Sequence, residues 1–194
     1  MATPITLYVA GALLLITTSI DHATAQPLLV PPPAYQMAAQ QAGISSTVLY
    51  AIALQESGLK RGSRLVPWPW TLNVAGAPQR YKNHQEACQG LLRALRKTTP
   101  TRIDAGLGQI NLGYQKHRYL HPCELLDPYR NLAIAAQILR EQYKPGEDVL
   151  LAIGRYHRPA GGQPAARYRR SVIHHLSRLQ DEPAAKQTPN RRSP

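Results

Sequence analysis

A mainly α-helical domain with one small β excursion is what this chain predicts, on three observations. Apolar residues recur three and four apart through several separate stretches, the period of helices with one buried face. One stretch, 61–83, loses that period; it holds both tryptophans, in Pro67-Trp68-Pro69-Trp70, then the strand-like Thr71-Leu72-Asn73-Val74-Ala75-Gly76. The 194 residues also suffice for one domain with a single core once the ends are set aside.

The elements follow in chain order. The apolar run 5–16 is too short to span a bilayer, and Ala23-Thr24-Ala25 is an A-x-A cleavage pattern. Residues 1–25 therefore read as a secretory signal peptide removed after Ala25; the alternative is an uncleaved anchor, since the leading segment carries no Lys or Arg. Residues 26–33 form a Pro-rich, extended leader, and 34–180 the folded domain. A short helix over 34–41 stops at Gly43. The next, 45–58, takes Ser45 or Ser46 as N-cap and Gly58 as C-cap. The segment 71–76 reads as half of a small hairpin. Helix 84–97 sets Cys88, Leu91, Leu92 and Leu95 on one side. A helix over 109–118 follows the loop Asp104-Ala105-Gly106-Leu107-Gly108. Helix 131–143 turns Leu132, Ile134, Ala135, Ile138 and Leu139 inward and ends at Pro145-Gly146. Helices 147–156 and 164–179 complete the domain, and the polar tail 181–194 is expected to be disordered. No internal repeat is evident.

The chain is strongly basic, 23 Lys plus Arg against 11 Asp plus Glu, for a net +12. The presumed signal holds a single acid, Asp21, so its loss leaves +13. Such a surface is drawn to polyanions, and an exported protein meets the polymers of the cell envelope before it meets DNA. Wall association is the expectation, with no nucleic-acid partner and no membrane span after signal removal. Cys88 and Cys123 pair as a disulfide in an oxidising compartment or stay as two buried thiols; sequence leaves both open. His117, His121 and Cys123 match no common metal-site spacing, and neither metal nor cofactor is expected.

Glu56 is the candidate for chemistry. Val48, Ile52 and Glu56 lie four apart, so the carboxyl shares a helix face with two core aliphatics. Loss of hydration raises its pKa and keeps it protonated near neutral pH, as cleavage of a glycosidic bond requires at the leaving oxygen. The alternative is a solvated acid at a fraying helix end. Asp104 reads as a loop or N-cap residue ahead of the Gly-rich turn; inside the cleft it would permit ordinary hydrolysis instead. Trp68 and Trp70 either stack on sugar rings or plug the β excursion. Arg167, Arg169, Arg170 and Arg178 grip a polyanion or form a solvated face, and His174-His175 lies on a helix surface.

Three segments in order carry a family resemblance: Ala53-Leu54-Gln55-Glu56-Ser57-Gly58, then Gly106-Leu107-Gly108-Gln109-Ile110-Asn111, then Ala152-Ile153-Gly154-Arg155-Tyr156-His157 with Tyr168 to Val172 behind it. Over about residues 35–179 the chain resembles the SLT-type lytic transglycosylases, a lysozyme-like superfamily that cuts peptidoglycan. No single motif is specific; their order is. The stretch with Trp-Pro-Trp-Thr-Leu-Asn-Val looks most like the small transglycosylases of type IV secretion and conjugation systems. The resemblance implies a lysozyme-like (goose-type-lysozyme-like) helical fold and a periplasmic enzyme acting on glycan strands. Its partners would be parts of an envelope-spanning machine. It makes Glu56 the catalytic acid/base. Ser57, Gln109, Asn111, Tyr156, His157 and Tyr168 become the residues of the substrate cleft, with the Tyr156 hydroxyl close to Glu56 and Tyr168 completing the wall. Gly108 stands where Met is usual, removing a cleft side chain, and His157 where Asn is usual.

Overall fold

A computed structural model describes residues 30–181. The expected signal peptide, the first half of the Pro-rich leader and nearly all of the polar tail lie outside the described residues. Among the described residues, six α-helices pack with two small antiparallel sheets. The first helix, α1 (Pro33–Ala42), begins on a proline whose fixed φ suits the first turn and ends at Gly43, which adopts the left-handed conformation. Ser45 caps α2 (Ser46–Ser57) by accepting from the Val48 amide.

α2 is the axis of the domain. Leu49 and Ala53 face a core shared with α1, α4 and the larger sheet, while Ala51, Ile52 and Leu54 face a second core built with α5 and α6. A helix buried on both sides has no solvent stripe, which is why nearly every residue from Leu49 to Leu54 is apolar. Gly58 does not cap it. Its φ of −53° runs straight into β1, and a side chain there would strike Leu54 O and Leu65. The glycine is required by close approach rather than by a left-handed turn.

β1 (Gly58–Arg61) and β2 (Arg64–Pro67) make one hairpin. β3 (Thr71–Val74), β4 (Ala77–Arg80), β5 (Ile103–Ala105) and β6 (Ile110–Asn111) form the larger sheet in the order β4-β3-β5-β6. The expected half-hairpin at 71–76 is thus one hairpin of a larger sheet. The expected helix over 109–118 is absent: Ile110 and Asn111 pair with Ala105 and Asp104, and only a single 3-10 turn, Lys116–Arg118, follows. Gly106 and Gln109 both take positive φ, 81° and 46°, which bends the chain back into a hairpin before a helix can start.

Between β4 and β5 lies α3 (His84–Leu95), with Asn83 as N-cap. Its buried face is Ala87, Leu91 and Ala94; Leu92, expected inward, is exposed because that face is centred one residue earlier. Cys88 is bridged to Cys123, 35 residues on, which closes α3 onto the loop before α4. A closed loop of that length stabilises the fold by about 4 kcal/mol through lost unfolded-state entropy. α4 (Pro128–Glu141) buries Leu132, Ile134, Ala135, Ile138 and Leu139 as the periodicity predicts. α5 (Val149–His157) and α6 (Gly162–Asp181) pack together against α2. No helix among the described residues is long and apolar enough to cross a membrane.

Candidate active site

α2 ends at a cavity of about 640 Å³, and Glu56 in its last turn lies on the cavity wall. The helix is tied there by Ser57, fully buried, whose hydroxyl donates to Leu107 O at 2.8 Å and lies 3.0 Å from Ala53 O. Ser57 fastens the end of α2 that carries Glu56 to the Gly-rich turn. One Glu56 oxygen accepts from the Tyr168 hydroxyl at 2.7 Å. Burial pushes the Glu56 carboxyl up to about 7, the Tyr168 bond pulls it down, and the charge of Asp104 adds to the rise. Of the two environments the sequence left open for Glu56, the desolvated one is found.

The sheet supplies the opposite wall. Asp104 sits on β5, neither in a loop nor at an N-cap, and lines the same cavity. It pairs in register with Asn111, whose amide donates to its carboxylate at 2.8 Å. Burial raises the Asp104 carboxyl; the Asn111 bond and the nearby His157 lower it. Asn111 also donates to Thr101 O, and its oxygen accepts from the Gly113 and Tyr114 amides. It is thus the organiser of this wall. Gln109 lines the cavity, but its side-chain amide donates to Gly106 O at 2.8 Å and Thr71 O at 3.2 Å, holding its own left-handed backbone in place.

One residue of this frame escaped the sequence reading. Asn131, fully buried on α4, accepts from the Gly108 amide and donates to Ala105 O and Leu125 O. It pins the turn that separates the two walls. The signal was present: Asn131 shares its helix face with Ala135 and Ile138, and a polar group on a core face must be bonded. Gly106 exists for it, since a side chain there would overlap the Asn131 amide.

The two tyrosines exchange the roles the resemblance assigned. Tyr156 donates to Gly108 O at 2.7 Å and so braces the turn, while Tyr168, from α6, makes the bond to Glu56. A tyrosine twelve residues further along reaches the acid because α6 packs directly against α2. Burial raises both phenols well above their ordinary range, so both remain donors. His157 lines the cavity and stacks flat on Tyr168, centroids 4.7 Å apart and planes 3° from parallel. Burial lowers its pKa, with Asp104 opposing. Gly108 does not open the cleft: a side chain there would meet Ala135 and Tyr156, so the smallest residue is needed for packing.

Trp68 and Trp70 pack edge-to-face at 5.3 Å, Trp68 donating to Tyr81 O, and neither lines the cavity. Trp70 packs against the main core, while the Trp68 ring lies under the Arg61 guanidinium. Cys123 is committed to its disulfide and His121 caps a 3-10 turn (Pro122–Leu126).

A buried central helix that delivers one carboxyl to a cleft walled by a small antiparallel sheet defines a lysozyme-like glycan-cleaving protein. A family model of the transglycosylase SLT domain matches residues 33–175, and the chain belongs to that family. It is a lytic transglycosylase, a glycosidic-bond lyase, and its substrate is peptidoglycan. Comparison with curated proteins and with solved structures gives no significant match.

Proposed function

We propose that Glu56 is the sole acid/base of this enzyme, which cuts the β-1,4 bond between N-acetylmuramic acid and N-acetylglucosamine and leaves a 1,6-anhydro end. The observation that carries this is a carboxyl in the cleft, pushed up to about 7 and oriented by the Tyr168 hydroxyl. Such a group holds a proton near neutral pH and can give it away. In the first step Glu56 protonates the glycosidic oxygen as the bond to C1 breaks. The substrate's own N-acetyl carbonyl stabilises the developing cation. In the second step the Glu56 carboxylate takes the proton of the muramic C6 hydroxyl, and O6 bonds to C1. The proton count closes and no water is consumed. An intramolecular nucleophile brings an effective molarity of about 10⁵ M or more, which offsets the lack of a second carboxylate. Digestion of purified sacculi followed by mass spectrometry tests it: anhydro ends are expected, and Glu56→Gln releases none.

One observation favours a second reading. Asp104 faces the same cavity and acts electrostatically on Glu56. If Asp104 activates a water, hydrolysis accompanies the lyase reaction and part of the product carries reducing ends. The same spectra separate the two.

We further infer that the enzyme is periplasmic, exported by residues 1–25, and opens the wall locally for a secretion or conjugation machine. The resemblance of the segment around Trp68 and Trp70 to transglycosylases of such systems supports this. In cells carrying the machine, loss of the protein should reduce transfer, restored by the wild-type chain and not by Glu56→Gln. Unchanged transfer would remove the role and leave the chemistry intact.

A further inference from the structure

The wall beyond the two carboxylates is rigid, yet no proton transfer uses it. Arg118 on the 3-10 turn after β6 donates to Gln115 at 2.6 Å and forks onto both Glu141 oxygens at 2.8 and 2.6 Å. That guanidinium locks the loop to the end of α4. Gln115, Glu141 and Gln142 all line the cavity. On the same loop Asn111 fixes the backbone at Gly113 and Tyr114, and Gly113 fits so closely on Thr101 that no side chain is admitted.

Tyr114 stands out on this frame. The residue is 72% exposed and lines the cleft, and its side chain has no hydrogen-bond or ring partner among the described residues. The other aromatics of the cavity are engaged: Tyr156 with Gly108, His157 with Tyr168. An unpartnered ring on an immobilised backbone, beside side-chain amides, matches a pyranose, whose C–H face stacks on an aromatic while its N-acetyl and hydroxyl groups take hydrogen bonds. The volume agrees: about 640 Å³ exceeds what one N-acetylhexosamine fills, about 250 Å³ at protein packing density.

We propose that Tyr114 is the stacking platform of a saccharide subsite, with Gln115 and Gln142 as its hydrogen-bonding groups, that holds a sugar of the glycan strand away from the bond being cut. The inference rests on the glycan-cleaving reading of the same cleft. Its consequence is a preference for long strands, because contacts remote from the scissile bond hold the reacting sugars in place.

Calorimetric titration of the inactive Glu56→Gln protein with β-1,4 N-acetylglucosamine oligomers, dimer to hexamer, tests it. Affinity should rise with length. Adding Tyr114→Ala should weaken hexamer binding about tenfold and dimer binding little, whereas Tyr114→Phe should bind the hexamer like the parent. Because the side chain is exposed, melting of the variants should match the parent. Tight hexamer binding by Tyr114→Ala would overturn the platform and leave the glycan-cleaving reading standing. A parent that binds no oligomer of any length would remove both.

Discussion

Glu56 and Asp104 line one cavity, but the helix that carries the first and the strand that carries the second treat their carboxyls differently. Glu56 ends a helix buried on both faces and receives one hydrogen bond, from a phenol that is itself buried. Desolvation dominates, and the proton stays to about pH 7. Asp104 occupies a short strand at the cavity wall, where the Asn111 amide and the His157 ring favour its charged form. Burial raises it too, with two opposing partners instead of one. The difference teaches that a cleft sets two carboxyls apart by how many groups greet the anion, more than by which acid is used.

The largest effect should come from Glu56→Gln: loss of at least about 10³-fold in glycan release, the scale of a general acid–base group. The same change should make the protein more stable in alkali. Glu56 titrates near 7 when folded and near 4.5 when unfolded, so between those values the folded chain holds more protons and stability falls as pH rises. Above pH 7 the penalty reaches at most about 3 kcal/mol, and the glutamine should escape it. Chemical denaturation of both proteins at pH 4 and pH 8 measures this; equal gaps at the two pH values would break the contrast.

Tyr168→Phe should cost about tenfold, the worth of one buried hydrogen bond to the acid. Because that bond lowers the Glu56 pKa, its loss should move the alkaline limb of the pH–rate profile upward. A limb that stays put would show that Tyr168 does not tune the acid. Asp104→Asn should have the smallest effect, a few-fold. Its charge raises the Glu56 pKa, so its removal should move the same limb downward. If instead Asp104→Asn abolishes the part of the product that carries reducing ends, Asp104 activates a water and hydrolysis accompanies the lyase reaction.

Much of this arrangement was legible along the chain, and what was not has a pattern. The i, i+4 run Val48, Ile52, Glu56 placed the acid, because helical spacing is a local property that neighbouring residues settle. The inward face of α4 was readable for the same reason. The 109–118 segment was misread because its helical composition was overruled by two positive-φ residues and by pairing with β5, a partner several residues upstream. Asp104 was assigned to a loop on the same grounds: a three-residue strand has too little alternation to announce itself.

From sequence alone came the helical class, from residue types at short spacing, and the family, from the order of three motifs along the chain. Only the tertiary structure decided which tyrosine touches Glu56, that Ser57 and Gly108 serve packing, that Asp104 enters the cleft, and that Cys88 meets Cys123. Those are contacts between distant parts of the chain, and helix packing, not spacing, brings their atoms within reach.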